Sequence, residues 1–119
     1  MIKDDLLNVL NTFGYPVFLQ GTIEPDAEIP ADFLTFQITG SDTAAAFDND
    51  DALTAWDINV NYYSTNPANV STVPVAIRAA LKAAGFIPQN RGFDLISDDP
   101  AFTGWAMDFY KLESYNINN

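Results

Sequence analysis

The densest group of potential ligands in the sequence is the run Asp48-Asn49-Asp50-Asp51, with three carboxylates and one amide in four residues. Oxygen atoms of this kind bind hard cations such as calcium. The run lacks the other features of a calcium-binding loop, since it has no glycine at the turn and no closing glutamate. We therefore expect a solvated acidic loop and no metal site.

A pair of carboxylates is the other arrangement that could do chemistry. Asp94 and Asp108 fall on two predicted strands, and glycosidases use two such groups as acid and nucleophile. With 16 acidic residues among 119, such a pair is expected by chance. The chain has no histidine and no cysteine, which excludes the commonest general base and all thiolate chemistry. We predict a protein that is not an enzyme and binds no cofactor.

The charge of the chain limits its partners. Sixteen acidic and five basic residues give a formal net charge of -11. A DNA-binding surface needs clustered cations. Acidity favours solubility, and it also suits a surface that repels nucleic acid or one that imitates it. The five bases are scattered along the sequence: Lys3, Arg78, Lys82, Arg91 and Lys111.

The length and composition predict one folded domain over residues 1–119. The chain is 48% hydrophobic and 13% aromatic, which is enough for one core. No apolar run approaches the roughly 18 residues of a membrane span, and the N-terminus carries acids where a signal peptide is basic. We therefore expect no membrane association and a protein that is made or assembled in the cytoplasm.

The first third of the sequence predicts a helix and a strand. Residues 3–13 place apolar side chains at spacings of three and four, and Gly14 is suited to end that helix. Residues 15–21 form a short apolar run bounded by proline and glycine, which is typical of a strand. Residues 22–32 are rich in acids and prolines, which indicates an exposed loop.

Two alternating segments follow, with a long insertion between them. Residues 32–39 and 54–63 alternate apolar and polar side chains, as strands exposed on one face do. Residues 40–53 are too many for a tight hairpin turn, so we predict a projecting arm or flap. Its candidate contact residues are Ser41, Asp42, Phe47, Asp48, Asn49, Asp50 and Asp51.

A second helix is predicted from Ser71 to Gly85. Ser71 is a plausible N-cap, Pro74 is tolerated in a first turn, and Gly85 suits the left-handed residue after the helix. Arg78 and Lys82 lie one turn apart, outside the apolar stripe. This helix is therefore basic and apolar.

The remaining elements complete an α+β domain. Residues 93–97 and 103–113 have strand patterns, and the tail 114–119 has none. We predict an antiparallel sheet of four to five strands, with two helices packed on one face and the flap between its second and third strands. The other face is polar, and it could meet water or a wet interface with another subunit.

Two neighbouring passages of the sequence carry a resemblance. The first is Trp56-Asp57-Ile58-Asn59-Val60-Asn61-Tyr62-Tyr63-Ser64-Thr65-Asn66-Pro67, and the second is the end of the following helix, Leu81-Lys82-Ala83-Ala84-Gly85-Phe86. In this order they resemble a group of bacteriophage neck proteins. The similarity is to the tail terminator family of long-tailed phages, also called tail completion or head-tail joining proteins. It continues through residues 92–99 and 103–109, and it covers most of residues 5–113.

This resemblance implies a structural protein of the virion that assembles into a ring, usually of six subunits. The ring would cap the tail tube, contact the major tail tube protein and the head connector or a head-completion protein, and leave a channel for DNA. Flap residues 40–53 would contact neighbouring subunits or the tube. A carboxylate-lined channel would let DNA pass without specific binding.

Two other functions remain open from the sequence. The first is a head-completion or connector-adaptor protein of the same neck. The second is an acidic DNA mimic that inhibits a nuclease or a repressor, a function suggested by the net charge of -11. DNA mimics place carboxylates along helices at phosphate-like spacing, and the helix predicted at 71–85 carries bases instead.

Overall fold

The protein is described here by a computed structural model, which covers residues 2–19, 29–47, 51–95 and 99–116. Two α-helices, a 3-10 turn at Asn11–Phe13 and six strands make up these ranges. In chain order the helices and strands are α1 (Ile2–Leu10), β1 (Val17–Leu19), β2 (Asp32–Phe47), β3 (Asp51–Ser64), α2 (Pro67–Ala83), β4 (Ile87–Pro88), β5 (Phe93–Leu95) and β6 (Thr103–Asn116).

The strands form one sheet in the order β1-β2-β3-β6-β4, and β5 also pairs with β6. This confirms the predicted α+β class, with one more strand than expected. The pairing of β1 with β2 is parallel and every other pairing is antiparallel, so a wholly antiparallel sheet was the wrong prediction. Parallel neighbours need a connection of a dozen or more residues, and residues 20–31 supply that length.

Both helices cover one face of the sheet. Alternation in the helix-covered part of the three long strands brings many of their apolar residues into register on this face, as in the row Phe36, Val60 and Met107. Trp56 and Trp105 are both partly buried against the same core. The fully buried side chains of this core include Leu6, Leu10, Leu34, Ile58, Val60, Tyr62, Ile77, Leu81, Phe86, Met107 and Phe109.

Helix α1 forms as the sequence predicts. Leu6 and Leu10 are four residues apart and fully buried, so they share the face that contacts the core. Asp4 and Asp5 occupy the first turn, where the helix dipole favours negative charge. The 3-10 turn that follows α1 ends at Gly14, whose φ of 79° is the left-handed conformation that glycine adopts without strain.

Helix α2 begins four residues before the predicted N-cap. Asn66 caps it, since its side-chain oxygen accepts a hydrogen bond of 3.1 Å from the amide of Ala68. Pro67 occupies the first position, where a missing N–H costs nothing. Ser71 is therefore inside the helix, and Pro74 is a buried interior residue. The pair Asn66-Pro67 thus separates the end of β3 from the helix and also starts the helix.

The C-terminal end of α2 confirms the prediction for Gly85. Its φ is 95°, its amide donates to the carbonyl of Lys82, and the amide of Phe86 donates to the carbonyl of Leu81 at 2.9 Å. This is the Schellman pattern of helix termination. It brings Phe86 back into the core, where only 1% of its surface is exposed.

A hydrogen-bonded group joins the start of β2, the end of β3 and the first turn of α2. The hydroxyl of Tyr62 donates to Asp32 Oδ1 at 2.7 Å, and Asn69 Nδ2 donates to the same oxygen at 3.4 Å. Hydrogen bonds from Ser64, Tyr62 and Asn69 hold the pKa of Asp32 below its ordinary value, although its partial burial opposes this. Burial, followed by the bond to Asp32, raises the pKa of Tyr62.

We expect the ionised carboxylate of Asp32 to stabilise the fold in a pH-dependent way. Because its pKa is lower in the folded state, its contribution is fully present above the ordinary pKa of 3.8 and is lost as the pH falls through the lower folded value. Asp32→Asn should therefore lose stability relative to the wild type near neutral pH. That deficit should shrink between about pH 5 and about pH 2.

Urea unfolding of the two proteins across this pH range measures the effect. Asp94→Asn is a suitable control, because the side chain of Asp94 is exposed and lies outside this group. A deficit for Asp32→Asn that stays constant with pH would contradict the role assigned to Asp32.

Candidate functional site

The predicted flap is built mostly of paired strands. The β2–β3 ladder continues to the pair Phe47 and Asp51, and β6 follows β3 out to the pair Asp51 and Asn116. Residues 39–47, 51–57 and 110–116 thus form a three-stranded extension, which we call the arm. Sixteen residues of strand span about 50 Å, and the longest dimension of the protein is 53 Å.

Two register shifts interrupt the β2 side of the arm. They lie between Ile38 and Gly40 and between Thr43 and Ala45, so one extra residue stands opposite β3 at each place. Such bulges bend a strand and increase its twist. They also break the alternation of side chains, which is why the sequence pattern did not reveal the strands of the predicted flap.

The arm contains most of the predicted contact residues. Ser41 is exposed and opposite Trp56, Asp42 is opposite Ala55, and Phe47 is opposite Asp51. For Asp42, Phe47 and Asp51 only the backbone position is described. Asp48, Asn49 and Asp50 lie outside the described residues.

Both outer edges of the arm lack a strand partner in the described part of the chain. Within the described ranges, strand β1 pairs only with Leu34, Thr35 and Phe36 of β2. On the other side, β4 and β5 pair with β6 no further along than Tyr110. An open strand edge presents backbone N–H and C=O groups that another strand can pair with.

The base of the arm lies beside the end of α2. Lys111 Nζ is 4.8 Å from the centre of the Phe86 ring and donates to the carbonyl of Ala84 at 3.3 Å. Trp56 lies opposite Lys111 and packs against the edge of the core. The indole N–H of Trp56 is buried and has no hydrogen-bond partner among the described residues.

A groove of about 650 Å³ runs between α2 and the strands β5 and β6 on the helix-covered face. Its floor and walls are largely apolar, and one residue of the wall, Val75, has 68% of its surface exposed. Residues that define its chemistry are Pro74, Val75, Arg78, Lys82, Arg91 and Trp105.

This groove collects three of the five basic residues of the chain. Arg78 and Lys82 come from α2, and Arg91 comes from the turn before β5. Asp94 is the one acidic residue in its described lining. The Nε atom of Arg78 is buried and has no hydrogen-bond partner among the described residues. The groove is thus a basic site on an acidic protein.

One wall of the groove depends on a close contact between Trp105 and Gly92. The indole N–H of Trp105 donates to the carbonyl of Arg91 at 3.3 Å. Gly92 has a φ of 105°, and a Cβ atom on it would lie 2.0 Å from Trp105 Nε1. Only glycine leaves room for the indole at this position.

The face of the sheet opposite the helices carries a row of polar side chains that bond to one another. Asn61 Nδ2 donates to Thr35 at 3.1 Å and to Asn59 Oδ1 at 2.8 Å, and Asn59 donates to Asp108 at 3.0 Å. Asn90 donates to the other oxygen of Asp108. Asn61 and Thr35 are buried. Much of the hydrogen-bonding capacity of this face is therefore used internally.

The structure separates the two carboxylates considered for catalysis. Asp94 stands opposite Trp105 and therefore points to the helix-covered face, whereas Asp108 stands opposite Asn59 on the polar face. Among the described residues, no group of three or more acids, histidines or cysteines is placed to hold a metal ion. In the same ranges, no helix has the length and apolar character needed to cross a membrane.

Comparison with known proteins does not assign the chain to a family. No protein-family model matches the sequence, and a search of curated proteins finds no significant match.

Proposed function

We propose that the protein is a structural component of the neck of a long-tailed bacteriophage, a tail terminator that forms a ring on the tail tube. The ring, of six subunits, joins the tube to the head connector and leaves an open channel for DNA. The observation that carries this proposal is the arm. An extension of three paired strands, beyond the part of the sheet that the helices cover, is suited to reach a neighbouring molecule.

The edges of the arm supply a mode of association. Residues 37–47 of β2 and 111–116 of β6 have no described strand partner on their outer sides. A strand from an adjacent subunit or from the tail tube can add to such an edge through backbone hydrogen bonds. The internal bonding of the polar row, by contrast, favours the arm over that face as the contact surface.

The charge of the protein supports an open channel. A net charge of -11 in a ring of identical subunits gives a strongly negative assembly. Carboxylates around a channel repel DNA phosphates within about 10 Å at moderate salt, so the genome passes without adhering. The three cations gathered in the groove leave the rest of the surface more acidic still.

A shortened arm tests the proposal. Replacing residues 44–53 by Asn-Gly, which favours a tight hairpin turn, closes the hairpin near the pair Thr43 and Thr54. The core lies outside this deletion, because its buried residues are in 2–10, 34–36, 58–62, 77–86 and 107–109. We expect a folded variant that no longer assembles.

Native mass spectrometry and electron microscopy of both proteins over a range of concentrations provide the measurement. The wild type should give annular particles with a central opening, and the variant should remain monomeric with its thermal unfolding still cooperative. Rings formed equally well by the variant would show that the arm is not the contact surface. A wild type that stays monomeric and binds a nuclease or repressor would favour the DNA-mimic alternative.

A further inference from the structure

We infer that the basic groove beside α2 is the docking site for a second copy of this chain, which enters it with its acidic arm. This inference rests on the proposed ring and specifies the contact between its subunits. Three observations carry it: the positions of arm and groove within the protein, their opposite charges, and the apolar lining of the groove.

The arm and the groove lie toward opposite ends of the same strand. Strand β6 contributes Trp105 to the groove near its start and Asn116 to the arm at its end. These two residues are separated by about 36 Å of extended chain. The arm of one copy therefore leads away from its own groove, and the groove is left for the arm of another copy. Contacts between two different surfaces repeat head to tail, and they form a ring where the rotation between successive subunits closes.

The charges of the two surfaces are complementary. Arg78, Lys82 and Arg91 line the groove. The strands of the arm contain four acids, Asp42, Asp51, Asp57 and Glu113, and the sequence between β2 and β3 adds Asp48 and Asp50. The one base of the arm, Lys111, is held by the carbonyl of Ala84 and the ring of Phe86. The protein has a net charge of -11, so the clustered bases of the groove are the surface that attracts an acidic arm.

The apolar lining of the groove suits an arm that is not purely acidic. Val75 is 68% exposed, and Pro74 and Trp105 form part of the same cavity. The arm sequence carries Phe47 and Leu53 among its acids. An interface with an apolar centre and charges at its rim is the usual composition of a specific protein contact. Arg78, whose buried Nε atom has no partner among the described residues, also lines this cavity.

A charge-reversal experiment on the full chain tests the contact. One variant carries Arg78→Glu and Lys82→Glu, which makes the groove acidic. A second carries Asp48→Lys, Asp50→Lys and Asp51→Lys, which makes the arm basic. Each variant alone would bring like charges together, and we expect self-association weakened by roughly tenfold or more. An equimolar mixture restores both complementary pairs, so association should return toward the wild-type level.

Sedimentation velocity measures association, and circular dichroism checks that each variant is folded. The single reversal Lys82→Glu is measured as well, and it should also weaken association. Lys3→Glu is its matched control and should leave association unchanged, because both lysines are exposed on helices and only Lys82 lines the groove. Unchanged association in the groove variant would overturn the docking site while leaving the ring intact. A mixture that fails to associate would also overturn it. A wild type that is monomeric up to about 1 mM would overturn both the docking site and the self-assembling ring.

Discussion

Replacing Gly92 by alanine is expected to lower the free energy of unfolding by about 3 kcal/mol or more. Two effects add together. At a φ of 105° a side chain is strained, and the new Cβ would lie 2.0 Å from Trp105 Nε1 and 2.8 Å from the carbonyl oxygen of Ala106. The indole must leave its place, which also removes a wall of the groove. Chemical denaturation at constant pH measures the loss.

Gly14→Ala is the matched control for this variant. Gly14 also has a positive φ, 79°, but no atom lies within 4 Å of the position its Cβ would occupy. This substitution should cost only the backbone strain, about 1 kcal/mol. The difference between the two variants therefore reports mainly the crowding of the new Cβ by Trp105 and the carbonyl oxygen of Ala106. Equal losses in the two variants would contradict the packing described for the indole.

Leu34→Ala is expected to lower the free energy of unfolding by about 3 kcal/mol, because it empties space in the centre of the core. Leu34 is fully buried and stands opposite Tyr62, beneath the helices. Its partner strands are held by backbone hydrogen bonds on both sides, so the cavity cannot collapse easily.

Leu112→Ala provides the comparison for this second variant. Leu112 is also a strand leucine, but 46% of its surface is exposed, so its truncation should cost well under 1 kcal/mol. Thermal and urea unfolding of both variants give the two values. A loss for Leu112→Ala as large as that for Leu34→Ala would mean that the arm, where Leu112 lies, is packed as tightly as the core.

Much of the fold could be predicted from local patterns. Helix α1, the strand alternation at 32–39 and 54–63, and the termination at Gly85 each depend on neighbours a few residues apart. The parallel pairing of β1 could not be predicted, because it depends on where the connection over 20–31 leads the chain. The two-residue strand β4 is too short to produce any pattern.

Only part of the candidate site could be predicted from the sequence. The sequence located the arm as a projecting flap but did not show that it consists of paired strands, since the bulges near Thr39 and Ala44 and the run of alanines remove the alternation of a strand. It also placed Arg78 and Lys82 on one side of a helix. It could not bring Arg91 to them, because only the turn before β5, held against Trp105, does that. Five bases that are scattered along the sequence thus become a cluster of three in space.

The arm also determines the order in which the sheet can form. Strand β3 can pair with β2 as soon as the hairpin is made, because Phe47 and Asp51 are almost adjacent in sequence. The other edge of β3 can pair only when β6 is present. Its residue Asp51 pairs with Asn116, and α2, β4 and β5 lie between these two residues in the sequence. Pairings between such distant residues form slowly. Until residues 103–116 have been synthesised, β3 is an exposed edge at which nascent chains can pair with one another.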